Sequence, residues 1–384
     1  MFTFNVRNVS EALYLVNQSL RSNGLKRETR NGPALEFPAP VAISYRNPKE
    51  RVLFYPQRDA NPFFHFMESL WMLAGHRDVE FVQRYNNQMS VYSDNGVNFH
   101  GAYGYRWRNW FEKDQLKTLI HRLKTYPNDR RCVLNMWDPK ADLVEGNQNV
   151  DIPCNTHIYF RLDKSKIHMT VCNRSNDMIW GALGANAVHM SFLQEYVADM
   201  IGVEVGTYVQ FSNNFHAYLE TLSKLDNLVA DYEPYLQLKE KADTKCGSSV
   251  YAEPVSLVTD VDLFDEDLTY FMTNQEPIVQ RGYDYVNQIF PEVAEPMREA
   301  WGFWEEHKRL KKLVNNLSTV SKIETAFSKA LSAASKIKAP DWRVACYEWL
   351  KRREPMKYEI KDSAAEEEWG CSSAQKPTPK KDAQ

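Results

Sequence analysis

The stretch that most restricts this chain is residues 61–74, NPFFHFMESLWMLA. Phe63, Phe66, Met67, Leu70 and Leu73 recur at spacings of three and four, which predicts a buried helix entered through Pro62. One carboxylate, Glu68, stands inside it. Burying a carboxylate without a partner is costly, so Glu68 is either a satisfied core group or a general acid/base.

Around this helix the pattern mixes both periods. Residues 115–125, QLKTLIHRLKT, read as an amphipathic helix stopped by Pro127, and residues 186–201, NAVHMSFLQEYVADMI, return to helical spacing. RRCVLNMW and THIYFRLDKSKIHMTVCNR read as strands, with residues 163–166 as a hairpin turn. The expected class is α/β (α+β). Residues 1–290 form the mixed part and residues 291–360 a helical C-terminal extension. Within the extension, Ser321 and Glu324 form a capping-box pattern, followed by Ile323, Phe327, Leu331, Ala334 and Ile337 on one face. The tail, residues 361–384, has too few large apolar residues to pack and is expected to be disordered.

Charge excludes some partners. With 47 basic and 50 acidic residues, the net charge of -3 gives no global attraction to nucleic acid or to a membrane surface, so an anionic ligand must be held by local arginines. No apolar run reaches the roughly 18–20 residues that span a bilayer, and the start lacks a signal-peptide pattern, so the expected location is cytoplasmic. The six cysteines are scattered without a CxxC, which reads as reduced thiols. The nine histidines show no HExxH or paired Cys/His spacing, so no metal is expected.

Chemistry concentrates in DIPCNTHIYF, VCNRSND, WGALGANAVHMSFLQEY and FSNNFHAYLE. In order, these carry Pro153-Cys154, Arg174-Ser175-Asn176-Asp177, Asn186 and His216-Ala217-Tyr218. Upstream stand EFPAP, HFMESLW, GAYGYRWRNW and DQLKTLIHRLKTYPNDRRCVLNMWDP. Each is weak alone, and a cysteine after proline is ordinarily a small buried hydrophobe. Together, in this order, they resemble the thymidylate synthase and deoxypyrimidine-monophosphate hydroxymethylase family over residues 25–275.

The resemblance implies a mixed β-sheet with flanking helices, a homodimer formed through that sheet, and one-carbon transfer to C5 of a pyrimidine nucleotide. Uracil C5 is a poor nucleophile until a thiolate adds at C6, so the reaction needs a cysteine of low pKa. Cys154 takes that role by resemblance, with Glu68 as general acid/base, Tyr103 managing protons and Asn186 reading the base. Arg30, Arg130, Arg131 and Arg174 match the phosphate-binding arginines, the Arg130–Arg131 pair reaching across the dimer. Ser175 belongs to the same substrate set. His216 and Tyr218 would bind the ribose hydroxyl, and Asp177 both substrate and folate. The implied co-substrate is 5,10-methylenetetrahydrofolate.

Departures from the family pattern shape the expected product. Asn155 stands where the family has His, Asn173 replaces a Gln, Asn214 an Asp, and WGALGAN is one residue longer. The tryptophans that flank the folate are absent from MSVYSDNGVNFHG, where Tyr92 and Asp94 stand near those places. The short closing tail is replaced by the extension. A synthase must quench its methylene intermediate by hydride in a dry site, whereas water finishes the reaction in the hydroxymethylases. These losses favour 5-hydroxymethyl-dUMP as product, of use in making phage-type modified DNA. An Asn amide complements uracil, which favours dUMP over dCMP. The alternatives are a thymidylate synthase, a dCMP hydroxymethylase, or a non-catalytic nucleotide- or RNA-binding relative that has no need of a nucleophile.

Overall fold

A computed structural model describes residues 1–143, 151–228, 255–274, 283–313 and 317–354. The expected disordered tail lies outside them. The strands are β1 (Phe2–Val6), β2 (Leu25–Arg27), β3 (Ala34–Glu36), β4 (Val41–Tyr45), β5 (Val133–Asn135), β6 (Asn155–Asp163), β7 (Lys166–Asp177) and β8 (Glu204–Tyr218). They form one mixed sheet in the order β1-β4-β8-β7-β6-β5, with β3 bridging β8 to β2. The β1/β4 and β7/β8 pairs are parallel and the rest antiparallel. The expected hairpin turn is present, with Lys164 in the left-handed region at φ 55°.

The principal helices are α1 (Val9–Asn23), α2 (Pro62–Leu73), α3 (Val79–Tyr85), α4 (Gln115–Thr125), α5 (Asn186–Ile201), α6 (Phe264–Thr273), α7 (Glu295–Lys311), α8 (Leu317–Ser335) and α9 (Pro340–Lys351). The start of α2 follows from local chemistry. Asn61 caps it by accepting from the Phe64 amide, and Pro62 occupies the first turn, where its missing N–H costs nothing. Gly202 ends α5 at φ 73°, a conformation glycine adopts freely.

Nearly every residue of α2 is buried because it is packed from two sides. Phe66 meets Phe192 of α5 edge-on at 5.5 Å. From the other side, the extension sets Trp301 against Phe63 at 5.4 Å, Trp349 against Phe63 at 5.7 Å and Trp342 against Phe66 at 5.2 Å. The extension is therefore built onto the central helix. Its own start differs from expectation: α8 begins at Leu317, so Ser321 and Glu324 lie inside the helix and form no capping box. The Ser321 carbonyl instead accepts from the Thr325 hydroxyl, an ordinary interior contact.

Alternation along the long strands divides the sheet. Ile158 and Phe160 of β6, Ile167, Met169 and Val171 of β7, and Tyr208 of β8 are buried in the core. The opposite set, including Tyr159, Thr170, Cys172, Val209 and Phe211, stays half-buried or exposed. No helix among the described residues is long and apolar enough to cross a membrane.

Candidate active site

Cys154 immediately precedes β6, and its backbone is fixed from the neighbouring strand. Its carbonyl accepts from the Arg174 amide at 2.9 Å. The Arg174 guanidinium donates to the Pro153 and Ile152 carbonyls, both at 2.9 Å, so one arginine clamps the whole approach to the cysteine. Burial pushes the Cys154 thiol up, and the Arg174 charge only partly opposes it. The expected lowering of this thiol is therefore absent from the free chain, because desolvation outweighs one guanidinium.

A cavity of about 650 Å³ opens at Cys154, and Glu68, Tyr103 and Asn186 line it as well. The four residues expected to carry the chemistry thus come together from α2, the segment before α4, the start of β6 and the start of α5. Tyr103 is held there by Gly104. A Cβ on Gly104 would sit 1.8 Å from the Met72 carbonyl oxygen, so only glycine permits this approach to α2. Burial and the neighbouring thiol drive the Tyr103 phenol far up, which keeps it protonated.

Asn186 is placed by a break in the preceding helical turns. Residues 178–185 form a wide turn in which Leu183 and Gly184 leave helical geometry, and the extra residue of WGALGAN lies in this segment. Asn186 then donates from Nδ2 to Asn176 Oδ1 at 3.0 Å, leaving one amide hydrogen and its carbonyl oxygen for a base. Asn155 donates to Asn173 at 3.4 Å, and Asn214 Oδ1 lies 2.8 Å from His216 Nδ1. Of the asparagines that depart from the family pattern, Asn155 and Asn173 thus pair with each other and Asn214 pairs with His216.

The strand residues flank this centre. Asn173, Ser175 and Asp177 of β7 face Ser212, Asn214 and His216 of β8 in register. Asp177 accepts from the Ile179 and Trp180 amides, while its second oxygen is buried without a partner among the described residues. Burial raises the Asp177 carboxyl and lowers His216, each opposed by the charge of the other. Tyr218 accepts from Asn31 at 3.3 Å, which places the β2–β3 turn and its exposed Arg30 beside it.

Arg130 and Arg131 lie elsewhere. They are exposed just before β5, and the β5/β6 register pairs Val133 with Tyr159. That sets Arg131 about seven strand residues from Cys154, roughly 23 Å at about 3.3 Å per residue. Arg131 is bound instead by Asp129, at 3.0 Å. Tyr92 lines the main cavity, whereas Asp94 lines a smaller one of about 240 Å³.

Other wall residues carry less sequence signal. His189, one turn beyond Asn186, is buried with Nε2 3.1 Å from Glu68 Oε2, and His65 packs edge-on against it with ring centroids 6.4 Å apart. Burial and the charges of Arg58 and His189 hold His65 well below the ordinary histidine range. Asp151 accepts from the Gly101 amide at 2.8 Å. Trp180, Trp349 and Arg353 also line the cavity. The spacing of His65 with Glu68, and of Asn186 with His189, is three residues, a same-face signal that could have found both histidines.

One cavity thus brings together a buried thiol, a carboxylate–imidazole pair and a free amide edge beside the mixed sheet, in a chain that its relatives place among the one-carbon transferases. The thymidylate synthase family model matches residues 15–258, and the chain belongs to that family. It is 44% identical over 355 residues to deoxyuridylate hydroxymethyltransferase of Pseudomonas phage M6, covering 92% of this chain and 95% of the relative. The corresponding enzyme of Bacillus phage SP01 is 40% identical over 191 residues, covering 47% of this chain and 50% of that one. A crystal structure of thymidylate synthase from T4 phage aligns at 19% identity with a TM-score of 0.48, over 57% of this chain and 80% of that chain.

Proposed function

We propose that the protein is a deoxyuridylate hydroxymethyltransferase, converting dUMP to 5-hydroxymethyl-dUMP. The observation that carries this reading is the convergence of Cys154, Asn186 and the Glu68–His189 pair on one cavity, in a chain similar over nearly its full length to a phage enzyme of that name.

Asn186 offers one donor and one acceptor, which complement O4 and N3–H of uracil. Arg174, Ser175, His216 and Tyr218 hold the ribose and phosphate, with Arg30 closing from the β2–β3 turn. Cys154 adds through sulfur to C6, which makes C5 nucleophilic. Tyr103, protonated beside the sulfur, holds through its hydroxyl oxygen the water that takes the proton leaving C5. When bound, 5,10-methylenetetrahydrofolate supplies the carbon at the oxidation level of formaldehyde. The cavity fits it: its size is that of a ligand site, and Phe64, Trp71, Phe99 and Trp180 are among its walls. Asp177 remains the candidate for contact with both substrate and folate.

Glu68 first assists the cleavage that releases tetrahydrofolate from the exocyclic carbon, and in the last step water adds to that carbon on C5. Glu68 takes the water proton and His189 steadies the carboxyl from behind. The electron pair that reaches C5 then re-forms the C5–C6 double bond and expels the Cys154 thiolate, which balances the reaction without hydride. Arg130 and Arg131, too far to serve their own cysteine, would reach the phosphate of a partner subunit across the half-buried sheet face, as a homodimer. The reading sets the reaction in the cytoplasm and makes the product a precursor for modified DNA. The test is to supply dUMP or dCMP with methylenetetrahydrofolate and analyse both products. A gain of CH2O on dUMP with tetrahydrofolate supports the reading. A methylated product with dihydrofolate means a synthase, and turnover of dCMP alone overturns the choice of base.

A further inference from the structure

The extension contributes to the catalytic cavity as well as to the core. Trp349, in the last turn of α9, and Arg353 just beyond it line the same cavity as Cys154, almost 200 residues away in sequence. Arg353 lies flat over Trp349, with its guanidinium carbon 3.6 Å from the ring centroid, and donates to the Trp349 carbonyl at 3.0 Å. It is bound in two-pronged fashion to Asp59, at 3.1 and 2.5 Å, and Arg352 reaches the same carboxylate at 3.1 Å. Asp59 is held at φ 45° directly after Arg58, which remains charged at neutral pH although burial lowers it to about 10. Two guanidinium groups therefore share one carboxylate at this rim, with the charge of Arg58 nearby, and the rim carries excess positive charge.

The nucleotide is already accounted for at the strand side, by Cys154, Asn186 and the residues of β7 and β8. The helix side, with an indole wall and an arginine rim, suits a ligand with an aromatic body and an anionic end. We infer that α9 completes the subsite for the one-carbon donor, with Trp349 against its aromatic body and Arg352 and Arg353 receiving its glutamate carboxylates. This rests on the function proposed above. Arginine forks suit carboxylates, and Asp59 acts as the placeholder that keeps them aimed before the donor arrives.

The experiment is equilibrium binding of tetrahydrofolate, measured by calorimetry with dUMP present, for wild type, R352Q/R353Q and Asp59→Asn. The double variant is expected to weaken tetrahydrofolate about tenfold. Asp59→Asn keeps a residue that tolerates positive φ and frees both guanidinium groups, so it is expected to tighten binding severalfold. The dUMP affinity stays within about twofold of wild type in both, the margin for a site left untouched. A purely structural clasp would make both variants weaken binding, so Asp59→Asn binding as wild type or more weakly overturns the inference even if the double variant does not fold. A wild-type protein that binds dUMP but no tetrahydrofolate would overturn the proposed function as well.

Discussion

At the scale of single residues, the site depends on buried groups whose charge is controlled by their neighbours. His189 backs Glu68 at 3.1 Å, and its role in capturing water separates it from the earlier steps. His189→Gln is expected to cut formation of hydroxymethyl product by roughly ten- to a hundredfold, since losing a group that steadies a catalytic carboxylate costs about 1.5–3 kcal/mol. Release of tritium from C5-labelled dUMP, which needs only cysteine addition and carbon transfer, should fall far less; equal losses would remove His189 from the water step. Cys154 gives a second check. Because burial raises the thiol and Arg174 pulls it down, alkylation of the free enzyme should turn on only above the ordinary thiol range, and at still higher pH in Arg174→Ala. An alkylation profile unmoved by that substitution would show that Arg174 acts only as a backbone clamp. Cys154, Glu68, Tyr103 and Asn186 were legible in sequence because each sits in a recognisable motif and the motifs keep their order. For His189 the sequence held only its three-residue spacing from Asn186, and a histidine on an apolar helix otherwise reads as an ordinary core residue.

At the scale of elements, the extension packs against α5 through Trp342 and Phe192, beside buried charge. Arg51 and Lys49 pair with Glu195 of α5, and Asp341 in the first turn of α9 lines the same small cavity. Burial raises the carboxyls of Asp341 and Asp199 to about 6. Their folded-state pKa values lie above the unfolded one, so they favour the folded state fully below about pH 4, and that contribution is lost as pH rises through about 6. Asp341→Asn should therefore match wild type near pH 4 and be more stable at pH 7, by about 1–3 kcal/mol. Thermal unfolding of the two proteins across that range checks it, and a constant difference would refute the assignment. The helices at 62–73, 115–125 and 186–201 fall where their spacing predicts; the second buries one stripe, whereas the first and third are buried nearly all round. The start of α8 does not fall where predicted, because Ser321 and Glu324 have the composition of a cap but lie within a helix that already runs from Leu317. The location of Trp349 and Arg353 was equally hidden. Nothing local to residues 349–353 reveals that they return to a cavity built by residues 58–189.

At the scale of the whole molecule, the arginines before β5 are far from their own cysteine and beside a sheet face that its own core does not use. If two copies share sites, mixing Arg130→Ala/Arg131→Ala protein with Cys154→Ser protein should restore activity, because one site in each mixed dimer then has every part. Recovery of up to about a quarter of wild-type turnover is expected for random exchange between two-fold partners. No recovery after verified subunit exchange would assign the phosphate to residues of one chain alone. The cavity walls also have a consequence for biosynthesis. They come from residues 58–103, 151–189 and 349–353, so a ribosome has released almost the whole described chain before the last wall exists. Domains and their parts fold as they emerge, and the sheet can be complete while the donor side of the cavity still lies open. A chain interrupted before α9 would therefore carry a cysteine and a pyrimidine site without the means to hold its carbon donor. Nucleotide binding would then precede competence for transfer during synthesis of each molecule.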